Sequence, residues 1–204
     1  MIITHGPLQL RTFTSDHLEL LRTWRNEQRV NRHLINRNFI TVDQQQKWYS
    51  SLDFSRAIYF IISQNNEPVG LIYAHNISSQ QKSFEGSIFI GNSEYENSFI
   101  PIQAVLLLTL FFFNQLEFST ALSTVHKNNK NALDLDLKLG YKVISSHNDF
   151  IKSQCSKEDF LLYSSRMLKV LLNGGNDVKF ELEQEDAKYR FLTNWVNDRK
   201  MKGC

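Results

Sequence analysis

The chain has 204 residues, of which 42% are hydrophobic and 22% are charged, a composition typical of a globular protein rather than a disordered one. Its 23 basic and 21 acidic side chains give a net charge of +2, and no basic run is long enough to follow a nucleic-acid backbone. The two cysteines, Cys155 and Cys204, provide neither a zinc-site spacing nor a disulfide framework, so no metal is expected and a reducing, cytoplasmic setting is favoured. The N-terminal segment lacks the basic start and the longer apolar core of a signal peptide.

The first elements in chain order are one strand and two helices. Residues 8–14 alternate between apolar and polar side chains, which predicts a short strand. Ser15 and Asp16 predict the start of a helix, and Trp24 belongs to its apolar stripe. Thr41 predicts the N-cap of a second helix.

Three β-rich segments follow, at residues 57–63, 69–77 and 83–91. Short polar stretches separate them, which predicts a meander of neighbouring strands. The apolar segment 99–113 comes next and is shorter than the roughly 20 residues that span a bilayer. It therefore predicts a buried helix over residues 102–116 and no membrane association.

The rest of the domain alternates between strands and one helix. We predict a strand over 119–125, a helix over 129–139 and two last strands over 141–146 and 160–165. The complete order, β-α-α-β-β-β-α-β-α-β-β, indicates an α+β fold with a mixed, mostly antiparallel central sheet flanked by helices.

The character of the chain changes near its C-terminal end. We expect residues 1–165 to form the domain and residues 166–204 to form a C-terminal helical extension. The apolar side chains of Phe191 and Trp195 would let the extension pack on the domain or on a partner subunit, which suggests a homodimer.

One strand-to-helix junction has the character of an anion site. A strand ends near Ile90 and a long helix begins between Phe99 and Ile102, so the first N–H groups of that helix face the loop. Pro101 fits the first turn, where its missing N–H breaks no helical bond. However, any such junction shares this geometry, and after Gly91 the loop has no glycine, which phosphate cradles usually need.

The predicted helix 129–139 raises a second question. Ala132, Leu135 and Leu139 form a core-facing stripe, and Gly140 is a natural C-cap. Packing and capping account for these residues but not for Asn129, which opens the helix.

A longer pattern in the same segment consists of Asn129, Ala132, Leu135, Lys138, Gly140 and Tyr141. It resembles the Asn-x-x-Ala-x-x-Leu-Tyr-x-Lys-x-Gly-Phe at the end of the catalytic domain of GNAT-family N-acetyltransferases, whose order of elements is also the same. The Trp-Arg-Asn of residues 24–26 resembles the branch that includes ribosomal-protein alanine acetyltransferases and amino-sugar-nucleotide acetyltransferases. The resemblance covers residues 8–165.

The resemblance implies acetyl-CoA as cofactor and direct transfer of the acetyl group to a neutral amine. The pantetheine arm would run beside the strand at 83–91, and the diphosphate would rest on the loop at 96–100. The residues that the resemblance implies in cofactor binding are Phe89, Ile90, Gly91, Asn97, Ser98, Phe99, Ile100 and Asn129.

Two positions depart from the family pattern. Glu96 stands where a basic or neutral residue is usual, and a carboxylate repels a diphosphate, so Asn97, Ser98 and Lys127 are alternative ligands. Asp136 stands where the family has the tyrosine credited with protonating the departing thiolate. An exposed aspartate is ionised at neutral pH and donates no proton, so only a raised pKa would restore this catalytic role.

Two residues are candidates for the catalytic base. The resemblance places an acidic residue at Glu85, on the strand that faces the acceptor amine, and His75 is the second candidate. A solvated edge-strand carboxylate and a hydrogen-bonded histidine are the structural alternatives.

Trp24, Arg25 and Asn26 are the residues expected to bind the substrate. Alternatively, Trp24 belongs to the helix core and Arg25 to a surface ion pair. The function expected is acetylation of a small-molecule amine, most of all a nucleotide-linked amino sugar in surface-glycan synthesis. The rival acceptors are a protein N-terminus and an antibiotic amine, and the rival class is a catalytically silent binding module.

Overall fold

The fold is built on one continuous sheet, in a computed structural model that describes residues 1–172, 177–181, 183 and 188–192. The strands of the described residues are Ile2–His5 (β1), Leu8–Thr12 (β2), Ile58–Gln64 (β3), Glu67–Ser78 (β4), Ser83–Ile90 (β5), Thr120–His126 (β6), Lys142–His147 (β7), Phe150–Ser156 (β8) and Lys179–Glu181 (β9). Their order across the sheet is β7-β8-β6-β5-β4-β3-β2-β1-β9. The expected mixed, mostly antiparallel sheet is confirmed.

Helices flank this sheet, as the sequence predicted. The α-helices of the described residues are Leu18–Asn26 (α1), Gln28–Asn31 (α2), Val42–Ser50 (α3), Ile100–Leu110 (α4), Lys130–Lys138 (α5), Lys157–Tyr163 (α6) and Ser165–Leu172 (α7). The apolar segment forms α4 and a π-helical turn at Phe111–Gln115. Within the ranges described, no helix has both the length and the apolar character that a membrane crossing requires.

The only parallel pair among the described strands is β5 with β6. Their pairing runs from Ser83 opposite Thr120 to Gly86 opposite Ser123. Strand β5 continues to Ile90 without further pairs to β6. The two strands therefore separate after Gly86, and β5 presents a backbone edge to the gap between them.

Apolar side chains pack on both faces of the sheet. On one face, α4 and the π-helical turn pack against the strands, and Phe84 stacks on Phe112 with ring centroids 4.1 Å apart. On the other face, α1 and α3 pack around Phe13, Trp24 and Tyr59. Aromatic pairs of this kind add about 0.5–1.5 kcal/mol each beyond the burial of their area.

The starts of the first two predicted helices are set by threonines. Thr41 caps α3 as predicted, because its hydroxyl accepts a hydrogen bond from Gln44 N at 3.2 Å and Gln44 Oε1 accepts one from Thr41 N at 2.9 Å. Before α1, Ser15 and Asp16 lie in a short 3-10 turn, and Thr14 is its N-cap. Ser15 and Asp16 therefore precede α1 rather than cap it, because α1 begins at Leu18.

The segment 160–165 is helical, so the strand predicted there is wrong. The strand that follows β7 is β8, which lies earlier in the chain than predicted and ends at Ser156. The Ser156 hydroxyl accepts a hydrogen bond from Asp159 N at 3.0 Å and caps α6. Glu158 and Asp159 add negative charge to the first turn, where the helix dipole favours it.

The C-terminal extension begins as the helix α7, but it also adds a strand that the sequence did not predict. Strand β9 pairs antiparallel with β1, and Arg11 donates a hydrogen bond to the carboxylate of Glu183. The extension therefore packs on the domain. Trp195 lies outside the described residues, and the boundary between residues 165 and 166 stays a prediction.

Candidate functional site

A cavity of about 870 Å³ lies where β5 and β6 separate. Its wall includes residues 86–90 of β5 and 123–126 of β6, together with parts of α4 and α5. Residues 32–36, which follow α2, complete the wall. The exposed edge of β5 offers backbone N–H and C=O groups along this cavity, which suits an elongated ligand with amide groups.

Five of the eight predicted cofactor-binding residues line this cavity, and these are Phe89, Ile90, Asn97, Ser98 and Asn129. Gly91, Phe99 and Ile100 are not among the lining residues. The polar residues of the loop before α4 and the strand edge thus meet at one cavity. The arrangement fits the pantetheine arm and diphosphate of acetyl-CoA.

Gly91 is required by packing. A Cβ atom at this position would lie 2.0 Å from Cδ2 of Trp24, far inside van der Waals contact. Trp24 is buried in the α1 and α3 cluster and meets Phe89 edge to face at 6.4 Å between ring centroids. The missing side chain of Gly91 therefore admits the indole ring.

Asn129 is the N-cap of α5, so the expectation that capping does not account for this residue is wrong. Its Oδ1 accepts a hydrogen bond from Ala132 N at 3.3 Å and so caps α5. At the other end of this helix, Gly140 has φ of 89°, the left-handed conformation that favours glycine at a C-cap. Lys127 lies outside the cavity wall, and its ammonium donates to the backbone oxygen of Asn148.

Asp136 is a partly buried carboxyl group in the cavity wall. Burial raises the pKa of Asp136 from 3.8 to about 6, and a hydrogen bond with Ser123 opposes that rise only in part. Its Oδ2 is buried and has no hydrogen-bond partner among the described residues. The group thus differs from the ionised, exposed aspartate that the sequence suggested, because a pKa near neutrality keeps a fraction of it protonated.

Glu85 is buried beside the cavity rather than exposed on an edge strand. Its Oε1 accepts a hydrogen bond from Thr124 Oγ1 at 2.6 Å, and its Oε2 accepts one from Asn76 Nδ2 at 3.1 Å. Burial acts to raise the pKa of Glu85, but these hydrogen bonds and the charges of His75 and Lys152 hold that pKa below its ordinary value. Glu85 is therefore ionised at neutral pH.

His75 lies directly opposite Glu85 across the β4–β5 pair. Burial lowers the pKa of His75, although the charge of Glu85 partly opposes this. Its Nε2 is 3.5 Å from Oγ of Ser87, and Ser87 lines the cavity. The imidazole is thus neutral at neutral pH and is connected to the cavity through one hydroxyl group.

Arg25 is the member of the Trp-Arg-Asn segment that reaches the cavity. Burial lowers the pKa of Arg25, and the titratable groups that interact with it are Tyr73 and Tyr59. Burial also raises the pKa values of both phenols, that of Tyr59 to about 12, so both are neutral. Among the described residues, no carboxylate forms an ion pair with Arg25.

Asn26 positions the segment that follows α2. Its Nδ2 donates a hydrogen bond to the Ile40 carbonyl oxygen at 2.9 Å, and its Oδ1 accepts one from Ile40 N at 2.8 Å. Trp24 and Asn26 therefore support the cavity, whereas Arg25 forms part of its wall.

Several polar residues of the cavity wall were missed at the sequence level, and Arg29, Ser87 and Ser123 are among them. Arg29 lies four residues after Arg25, but α1 ends at Asn26 and Glu27 is extended, so the spacing of a single helix face does not connect the two arginines. The two serines gave no signal, because their roles depend on where β5 and β6 stop pairing. No group of three or more potential metal ligands occurs in the described ranges.

Comparisons with known proteins agree with this geometry. The family model described as "Acetyltransferase (GNAT) domain" matches residues 8–142, which is more than half of the chain. A comparison with curated proteins finds no match.

Solved structures share the fold at low sequence identity. "Apo FdhC- a nucleotide-linked sugar GNAT" is 21% identical, with a TM-score of 0.70, and the match covers 84% of this chain and 98% of that one. The ribosomal-protein acetyltransferase RimL with coenzyme A is 13% identical, with a TM-score of 0.67 and coverage of 76% and 98%. Spermidine N-acetyltransferase from Vibrio cholerae, with CoA and spermine, is 16% identical, with a TM-score of 0.66 and coverage of 76% and 99%.

Proposed function

The chain belongs to the GNAT acetyltransferase family, and from this premise we propose that its acceptor is the amine of a small, negatively charged molecule. The enzyme is an acetyl-CoA-dependent N-acetyltransferase, as the resemblance implied. A nucleotide-linked amino sugar used in surface-glycan synthesis is the acceptor we favour, and a reducing cytoplasmic setting is part of the proposal because the two cysteines of the sequence provide no disulfide framework. A homodimer stays a prediction.

The observation that carries this proposal is that Arg25 has no carboxylate partner among the residues that the structure describes. A partly buried cation without a negative partner is costly, because it has lost water without gaining an ion pair. An acceptor that brings a phosphate or a carboxylate to the cavity would supply that partner. Guanidinium groups bind both anions through paired hydrogen bonds.

Asp136 is our candidate for the catalytic acid. Acetyl-CoA, when bound, supplies the acetyl group as an activated thioester. With a pKa of about 6, about one Asp136 in ten is protonated at pH 7, and its buried Oδ2 can hold that proton. An acid with a pKa near the working pH is well placed to protonate a leaving group.

Glu85 and His75 together are our candidates for the basic side of the site. A neutral imidazole can accept a proton at Nε2, and Ser87 Oγ lies between His75 and the cavity. The ionised Glu85, which lies opposite, stabilises the imidazolium that then forms. This division of roles assigns the proton to His75 and the compensating charge to Glu85.

Other acceptors fit the cavity less well. A polyamine such as spermidine is a polycation, and Arg25, which has no carboxylate partner among the described residues, would repel it from the cavity wall. The protein N-terminus and the antibiotic amine proposed as rivals also lack a defined negative group for Arg25.

The proposal can be tested by measuring thiol release from acetyl-CoA with a panel of amines. The panel contains a UDP-linked amino sugar, the same free amino sugar, spermidine and a short peptide with a free N-terminus. We expect the UDP-linked sugar to have the highest kcat/KM, roughly 10- to 100-fold above the free sugar, which is the scale of one charge-assisted contact. Preference for spermidine or the peptide would overturn the proposal.

A further inference from the structure

Arg29 joins three parts of the molecule at the carboxyl end of β5. Its Nη1 donates hydrogen bonds to the Ile90 carbonyl oxygen and to Glu96 Oε2, both at 3.1 Å. Its Nη2 donates to the Gly91 carbonyl oxygen at 2.5 Å and to Glu27 Oε2 at 3.0 Å. The guanidinium is thus fixed by two backbone oxygens and shared between two carboxylates.

The two carboxylates differ in position. Glu96 lines the cavity together with Arg29, next to Asn97 and Ser98 in the loop before α4. Glu27 is not among the lining residues. An anion that enters this end of the cavity therefore meets one carboxylate of the pair and the shared cation.

The loop before α4 has the wrong charge for a diphosphate unless a neighbouring element contributes a cation, and Arg29 is the cation that contacts this loop directly. The loop itself has no glycine and no basic residue between Glu96 and Ile100. Glu96 alone would repel a phosphate, and its ion pair with Arg29 offsets that repulsion. Because two backbone contacts hold the guanidinium in place, it stays in position even if Glu96 turns away.

We propose that Arg29 is the cation that binds the cofactor's diphosphate, and that the Glu96 carboxylate forms an ion pair with this guanidinium until the diphosphate displaces it. The inference rests on the cofactor of the proposed function being acetyl-CoA. In this arrangement, α2 supplies the positive charge that the loop before α4 lacks. Glu96 then weakens cofactor binding, because the diphosphate must compete with its carboxylate for the same donors.

Calorimetric titration of CoA into three variants tests this proposal. Glu96→Gln removes the competing carboxylate and should tighten CoA binding by up to about 5-fold, the scale of one partly exposed charge pair. Glu27→Gln is the matched control, because it removes a carboxylate from the same guanidinium outside the cavity, and it should leave the CoA Kd unchanged. Arg29→Gln should weaken CoA binding by about 10-fold or more.

Three outcomes would overturn the inference: an unchanged CoA Kd in a folded Arg29→Gln variant, an unchanged or weaker Kd in Glu96→Gln, or equal tightening in Glu96→Gln and Glu27→Gln. Thermal melts accompany each titration, since Arg29 also ties α2 to β5. If Arg29→Gln does not fold, the comparison of Glu96→Gln with Glu27→Gln still decides the matter. Failure of the acceptor proposal would leave these CoA affinities unaffected, whereas wild-type protein that does not bind CoA would remove the basis of both.

Discussion

Asp136 on α5 lies beside Ser123, the last residue of β6 that pairs with β5. This contact places the carboxyl group where the two strands separate and where the cavity begins. The family pattern has a tyrosine at this position, whereas here burial gives an aspartate a pKa of about 6. The departure from the family pattern is therefore compatible with proton donation.

Asp136→Asn removes the proposed acid while keeping its size. We expect kcat to fall by about 100-fold, the lower range for general acid catalysis, while the Kd for CoA is unchanged. Asp149→Asn is the control, because it removes an exposed carboxylate of the turn between β7 and β8. Thiol-release kinetics and calorimetry provide the two readouts, and an Asp136→Asn variant with wild-type kcat would exclude this role.

The same substitution should alter stability in a pH-dependent way. The carboxyl group has a pKa of 3.8 ordinarily and about 6 in the folded chain, so its ionisation disfavours the fold. That penalty is absent below pH 3.8, grows as the pH rises and is complete above about 6. We expect Asp136→Asn to raise the free energy of unfolding by about 3 kcal/mol at pH 7 and by about 1 kcal/mol less at pH 5. Urea denaturation at both pH values measures this, and equal gains at both would contradict the assignment.

Glu85→Gln tests the basic side of the site. Loss of the negative charge opposite His75 should lower the pKa of His75 further, because the charge of Glu85 raises that pKa in the wild-type protein. The acidic limb of the kcat/KM profile should therefore move to lower pH, and turnover at neutral pH should fall because the imidazolium loses its partner. CoA affinity should hold. An unchanged profile with unchanged turnover would remove Glu85 from the site.

Gly91→Ala separates packing from cofactor binding at a predicted cofactor residue. The new methyl group would overlap the Trp24 ring, so the indole or β5 must shift. We expect a loss of about 1–3 kcal/mol in the free energy of unfolding, as for other overpacked cores. Chemical denaturation checks this value. A variant of wild-type stability would show that the indole relaxes at no cost.

Much of the fold was predictable because it follows from periodic patterns. The strands around residues 57–91 alternate or are continuously apolar, and the Thr41 cap is local in sequence. The segment 160–165 was misread because its apolar run resembles a strand, while the Ser156 cap that determines its helix lies before it. Strand β9 exists only through its pairing with β1, which a local pattern does not reveal.

The site was predictable in its location but not in its electrostatics. Sequence alone left the protonation of Asp136 open, because the burial that raises its pKa depends on contacts with distant segments. It also gave no partner for Glu96, since Arg29 lies 67 positions away in the chain. Both properties arise from contacts between distant segments.

The most direct test of the account compares wild type with Arg25→Gln, using a UDP-linked amino sugar and the same free amino sugar as acceptors. We predict that Arg25→Gln lowers kcat/KM for the UDP-linked sugar by roughly 10- to 100-fold and leaves the free sugar unaffected, so that the preference disappears. Arg25→Lys should retain part of the preference, because the positive charge stays but the paired N–H donors of the guanidinium are lost. An unchanged preference in Arg25→Gln would contradict the account.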